Sequence, residues 1–530
     1  MADKNFINDF KNELVNGETN ISITENGAPG YRTTGSLLVD TNFKIPSLRK
    51  ADINTLENIW VEIYNEDPIL STLFLFYVGD IRKGLGERKI FRTWLRKLCK
   101  DKPDVGVRLI DLVPVYSRWD IIWDLIGYTA RLDEKIKDLV MNQYKSDVEN
   151  MRNGKPISLL GKWLPSYNTS SFETKKKAIR VAKVCFNIDL THNAGQQLYR
   201  KMISNLRKYI NVLERKISAN EWKEIDYSSV PSNANIKYKN AFIKHDSERY
   251  FQFLNKAMSG KEKINASVVF PSDIVHSYIA NQKSYEPNYS NLYLSLDDYD
   301  MTCESMWKNL PTYDIEDNTI CVLDTSGSMT NYVNGKMTAI EVGASLAIYC
   351  AEHMHGAFKN NMITFSSRPE LISFNDATSL KDKLAIIDDN SLYDNTNIEA
   401  VFSLILKTAV DNHYSQSDLP NSIMIISDME FDAQITGRKD ARLFEEISRT
   451  YSSFNYKMPK LIFWNVNSRT NTIPVKENKA GVILVSGYSI NVMNMVLSNK
   501  LDPAEVLMET LTGERYKPVM DALPLIMSLI

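Results

Sequence analysis

The stretch VLDTSGSM, residues 322–329, sets an acid and two hydroxyls on alternate positions, Asp324, Ser326 and Ser328, directly after an apolar run. These are hard oxygen donors suited to Mg²⁺ or Mn²⁺, and Gly327 eases the tight turn between them. Three donors leave an octahedral shell incomplete, so other segments must contribute. YDNTNIEA offers Thr396 just ahead of a helical pattern, and IMIISDMEFD offers Asp428 just behind an apolar run. Asp324, Ser326, Ser328, Thr396 and Asp428 therefore form a candidate metal set spread over three segments. Structural alternatives stand beside it: Thr396 with Glu399 also spells a helix capping box, and Asp428 also suits a turn cap. Metal-assisted hydrolysis would need a base beside a bound water, and a two-metal version needs more carboxylates than Asp324 and Asp428, with only Asp394 and Glu430 as extras.

The elements that must position this set lie after Asn318. Apolar runs TICVL, NMITFS, ELISF, SIMIIS, KLIFWNV and GVILVS read as strands. Between them, MTAIEVGASLAIYCAEHM places Met337, Ile340, Ala344 and Ala347 on one helical face, and NIEAVFSLILKTAV does the same with Ile398, Val401, Ile405 and Ala409. Strands alternating with helices predict a mostly parallel, doubly wound α/β sheet covered on both faces. Ligands of such sheets collect at the carboxyl ends of the strands, where Asp324 and Asp428 fall.

The first half has a different texture. Residues 1–50 are polar and turn-rich and predict an irregular arm. Residues 51–284 carry apolar residues at helical spacing with no period-two stretch, which predicts an all-helical, repeat-like domain. Residues 285–317, rich in Tyr and Asp, read as a linker, and 318–530 as the α/β domain.

The helical half also concentrates charge. DIRKGLGERKIFRTWLRKLCK, ETKKKAIRVAK and YRKMISNLRKYI are basic and interleaved with aromatics such as Trp94, Trp119, Trp163 and Tyr199. Cations that grip phosphate, beside rings that stack on unpaired bases, suit RNA. The same pattern describes a solvated helix face over an aromatic core. GLGERK lacks the Lys-Ser/Thr of a phosphate-binding loop, which argues against an ATPase.

The whole chain has 530 residues and a formal net charge of −2, so any nucleic-acid site must be local. Its five cysteines show no paired or metal-type spacing, which suits a reducing compartment, and a cytoplasmic setting is expected. No apolar stretch reaches the roughly 20 residues of a membrane span.

Residues 318–530 resemble a von Willebrand factor A domain, with Asp324, Ser326, Ser328, Thr396 and Asp428 matching its metal-ion-dependent adhesion site. The resemblance implies a bound Mg²⁺ whose open position receives an acidic oxygen from a protein partner: binding, with no catalysis. DNT at 394–396 and SDME at 427–430 lack the glycines usual there.

TENGAPGYRTTGSLLVD, YVGDIRKGLGERKIFRTWL, SRWDIIWDLIG and SLLGKWLPS resemble the TROVE module of Ro-type ribonucleoproteins, in which HEAT-like helical repeats form a ring closed by a von Willebrand factor A domain. The segment from Tyr199 to Tyr250 is more similar to an uncharacterised bacterial, phage and plant family of the same layout. The resemblance implies binding of small noncoding or misfolded RNA. It points to Arg82, Lys83, Arg88, Arg118, Lys162, Arg200, Lys201, Arg207, His245 and Arg249. Arg118 beside Asp120, and His245-Asp246 near Arg249, equally suit internal pairs that hold helices together. The second functional expectation is a protein-interaction or structural component, of phage or mobile-element type, that uses the same surfaces for protein.

Overall fold

The computed structural model describes residues 21–23, 29–279, 299–313, 318–333, 337–365, 369–391, 398–430, 443–468, 482–489 and 503–523. They fall into two compact units: Asp52–Asn265 with Leu511–Ile530, and Met1–Ala51 with Ala266–Thr510. The division after Ala51 lies one residue from the expected boundary at 51, whereas those after Asn265 and Thr510 fall at neither 285 nor 318. The N-terminal segment and the stretch from Ala266 go with the sheet, and the C-terminal segment goes with the helices.

The N-terminal segment is not irregular throughout, as its turn-rich sequence suggested. Strands β1 (Ile21–Ile23) and β2 (Pro29–Tyr31) pair antiparallel. Helix α1 (Leu37–Leu48) starts at Ser36, whose hydroxyl accepts from the Val39 N–H. Leu38, Val39, Phe43, Ile45 and Leu48 are buried. Tertiary burial, more than helical propensity, explains why a segment containing Pro46 is helical.

In the unit that starts at Asp52, every regular element among the described residues is helical. α2 (Ile53–Glu66) is capped by Asp52 and α3 (Pro68–Gly79) by Asp67, with Pro68 in the first turn, where a missing N–H costs nothing. α4 (Arg88–Asp101) turns Ile90, Phe91, Trp94, Leu95 and Leu98 inward, and Trp94 Nε1 donates to the Leu56 carbonyl at 2.8 Å. The chain continues through α5 (Pro103–Leu109), α6 (Val113–Tyr116), α7 (Ala130–Arg152), α8 (Leu160–Trp163), α9 (Phe172–Phe186), α10 (Asn193–Tyr209), α11 (Leu213–Ser218) and α12 (Ser232–Met258), with helices packing on near neighbours in sequence. The C-terminal segment is tied in by Arg515, which grips the fully buried Asp80 through Nε at 2.7 Å and Nη2 at 3.0 Å.

The other unit adds α13 (Pro271–Ile279) and α14 (Met301–Lys308). The expected linker thus contains a buried helix. Glu304 of α14 accepts from the N–H groups of Leu380 at 2.9 Å and Lys381 at 3.1 Å, capping a later helix. Beyond these lie β3 (Thr319–Asp324), α15 (Ala339–His353), β4 (Asn361–Phe365), β5 (Glu370–Ser373), α16 (Leu380–Asp389), α17 (Ile398–Asp411), β6 (Ser422–Ser427), α18 (Leu443–Ser453), β7 (Lys460–Asn465) and β8 (Val482–Ser486).

All six stretches read as strands are strands. Their order is β5-β4-β3-β6-β7-β8, parallel except for the β4–β5 edge pair. This is the doubly wound α/β arrangement expected of a von Willebrand factor A-like domain. One face packs Ile320, Val322, Ile423, Ile425, Phe463 and Leu484 against Val401, Phe402 and Leu406 of α17 and Ile447 and Tyr451 of α18. On the other, α15 runs so close to β3 that a side chain at Gly343 would press within 2.9 Å of Leu323. Among the described residues no helix is long and apolar enough to cross a membrane.

Candidate functional site

Strand order reverses between β3 and β6, and the carboxyl ends of these two strands carry Asp324 and Asp428. A doubly wound sheet opens a crevice at that point. Asp324 Oδ1 accepts from the Ser326 N–H at 2.9 Å, which folds the loop back on its own acid. Ser326 Oγ and Ser328 Oγ lie 3.0 Å apart, and Ser328 Oγ donates to Asp428 Oδ1 at 3.1 Å. Four of the five expected donors thus belong to one hydrogen-bonded set. Asp324, Ser326 and Asp428 are buried, and Ser328 is half-buried. Thr396, with Asp394, lies outside the described residues.

Sequence reasoning missed Ser427. Its hydroxyl donates to Asp324 Oδ2 at 2.5 Å and accepts from the Met429 N–H at 2.8 Å, so it fixes the second oxygen of the acid. Met429 sits at φ 63°, a left-handed conformation that costs a non-glycine residue roughly 1–2 kcal/mol. The Ser427 bond helps to hold that turn. Glu430 is fully buried nearby, with its N–H on Asp428 Oδ1 at 3.3 Å and Ser468 Oγ 3.5 Å from its carboxylate. Among the described residues no group of three or more His, Cys, Asp or Glu side chains is placed to hold a metal. An ion at this edge would be held by hydroxyls as much as by carboxylates, a donor set that fits Mg²⁺ better than a thiolate- or imidazole-seeking metal.

The expected RNA-contacting cations divide into two groups. Several are engaged internally. Arg118 pairs with Asp120 through Nε at 2.7 Å and stacks 3.8 Å over the Trp163 ring, with Lys162 5.6 Å from the same ring. Arg207 donates to the Gly161 carbonyl at 3.0 Å, Ser166 Oγ at 2.8 Å and the Leu164 carbonyl at 2.6 Å, and burial pulls its guanidinium below the usual range. Arg249 bonds Asp246 at 2.7 Å and the carbonyls of Lys223 and Ile225 at 2.8 Å each. His245 stacks on Trp222 at 4.4 Å.

Others face solvent. Lys83, Arg88, Arg200 and Lys201 are exposed. Arg82 is exposed too, although its Nη1 donates to the Val115 carbonyl at 2.7 Å. On α10 the buried residues are Tyr199, Ile203 and Leu206, which turns Arg200, Lys201 and Lys208 outward. On α9, Lys176, Arg180 and Lys183 form an exposed stripe at spacings of four and three.

Residues 129–312 match a family described as a domain of unknown function, DUF2828, and residues 318–520 match another, DUF7788. The chain is similar to an uncharacterized protein, L728, of Acanthamoeba polyphaga mimivirus, with 26% identity over 540 residues that cover 94% of this chain and 89% of that one. Among solved structures it is similar to the crystal structure of the Deinococcus radiodurans Ro (RSR) protein, with 10% identity, a TM-score of 0.40, and coverage of 89% of this chain and 93% of that one.

Proposed function

We propose that this protein is a non-enzymatic binding protein with a divalent-cation site at the carboxyl edge of its sheet and an RNA-binding face on its helical unit. The observation that carries the first part is the linkage of Asp324, Ser326, Ser328 and Asp428 into one oxygen cluster where the strand order reverses. Those residues would hold Mg²⁺, with Thr396 as the expected fifth donor. The ion would supply an electrophilic position for a carboxylate of a protein partner. Binding is preferred over hydrolysis because the carboxylates are few, and because a hydrolytic site needs a positioned base.

The exposed cations support the RNA part. With Arg118, Arg207, Arg249 and His245 engaged within the fold, phosphate contact falls to Lys83, Arg88, Arg200 and Lys201, assisted by Arg82 and Lys162. The test is crosslinking in source cells, recovery of the protein and sequencing of the attached nucleic acid. RNA should be recovered above background. Binding of that RNA should weaken steeply with salt, because each phosphate contact releases counterions. The doubly reversed variant Arg200→Glu/Lys201→Glu should lower affinity at least about tenfold at 0.1 M salt and flatten the salt slope. Recovery of proteins without RNA would replace this part with the protein-interaction reading.

A further inference from the structure

Four adjacent strands of the sheet end in one polar row. Asp324, Ser427, Asn465 and Ser486 are the last residues of β3, β6, β7 and β8. Ser427, Asn465 and Ser486 stand in register across three parallel neighbours, and the pairing of Leu323 with Ile426 brings Asp324 alongside Ser427. Alternation with period two assigns this row to the same sheet face as the core residues Ile320, Val322, Ile425, Phe463 and Leu484. All four polar residues are buried, so each needs a hydrogen-bond partner.

At one end of the row the partner is the candidate metal loop, through Ser427 and Asp324. At the other end it is α1. Pro46 lacks an N–H, so the Asn42 carbonyl loses the donor that a helix would normally supply four residues on. Ser486 Oγ donates to that carbonyl instead. Asn465 Nδ2 donates to the next carbonyl, Phe43, at 2.7 Å, while the Phe43 ring is buried in the core of this face.

Asn465 belongs to both ends. Its Oδ1 accepts from the N–H groups of Asn467 at 3.0 Å and Ser468 at 2.8 Å, which shapes the loop after β7. From that loop the Val466 N–H donates to the Ser427 carbonyl at 3.0 Å, and Ser468 Oγ reaches Glu430, whose N–H bonds Asp428. Two hydrogen-bonded tracks therefore lead from α1 to the acids of the candidate site, one ending on Asp324 and one on Asp428.

We propose that α1 is a strap whose seating on the sheet edge is coupled to cation binding at the Asp324 loop, with Asn465 as the positioning residue between them. The proposal rests on the divalent-cation reading above. An ion that fixes the Asp324 and Asp428 carboxylates also fixes Ser427 and the 465–468 loop, and with them the donors that hold α1. By linkage, whatever favours one event favours the other by the same factor.

The test is hydrogen exchange of the full-length protein over residues 37–48, with and without saturating Mg²⁺, alongside calorimetric titration of Mg²⁺. Mg²⁺ should slow exchange of α1 in the wild type by at least about fivefold. Ser486→Ala, which cuts the strap but not the link, should exchange faster at baseline and keep that factor. Asn465→Ala should lose it. Mg²⁺ heat with unchanged exchange in the wild type overturns the coupling and leaves the cation site standing, and no Mg²⁺ heat overturns both. Full retention of the factor in Asn465→Ala overturns the role of Asn465. If that variant proves unfolded by circular dichroism, the wild-type and Ser486→Ala factors decide the coupling.

Discussion

Arg200 and Arg207 stand seven residues apart on α10, carry the same charge and look alike in the sequence, yet only Arg200 is exposed. The difference comes from α8. Gly161 lies so close to α10 that a Cβ there would come within 2.5 Å of Leu206, and this approach brings the carbonyls of Gly161 and of Leu164, just past α8, to Arg207. Arg207→Ala should therefore destabilise the protein by on the order of 2–3 kcal/mol by leaving buried acceptors unsatisfied, whereas Arg200→Ala should stay within about 0.5 kcal/mol. Urea denaturation of both variants checks this, and equal effects would contradict it. The acids of the candidate site were legible because each is the first charge after an apolar strand run. Ser427 was not, because a serine at a strand end fits many roles and only the register shows that it stands beside Asp324.

The sheet elements were legible because buried parallel strands are apolar on both faces, so each appears as a short uninterrupted run. α1 was hidden by a composition that favours turns and by Pro46, and its helix depends on burial against strands more than 400 residues away in the chain. The proline is itself informative. If Ser486 replaces the donor that Pro46 withholds, Ser486→Ala should cost about 1 kcal/mol in the wild type. It should cost clearly less in a Pro46→Ala background, where residue 46 gains an N–H for the Asn42 carbonyl. A double-mutant cycle by chemical denaturation measures the coupling, and equal costs in both backgrounds would contradict the substitution of one donor for the other.

Over the whole molecule, near-neutral net charge hides an uneven distribution. Exposed cations gather on α9 and α10, while the sheet edge gathers Asp324, Asp428 and Glu430. Element types followed from periodicity, but the division into units did not. Ion pairs such as Asp80 with Arg515 and hydrogen bonds such as Asn465 with Phe43 join positions about 400 residues apart, and no local pattern announces them. The central claim is that Asp324 and its neighbours hold a divalent cation. Its most direct measurement is thermal unfolding of the full-length protein with and without Mg²⁺, in the wild type and in Asp324→Asn. Binding to the folded state should raise the wild-type midpoint as Mg²⁺ increases, and the variant should remain folded with a midpoint that does not respond. An equal Mg²⁺ response in both proteins, or none in the wild type, would contradict the assignment.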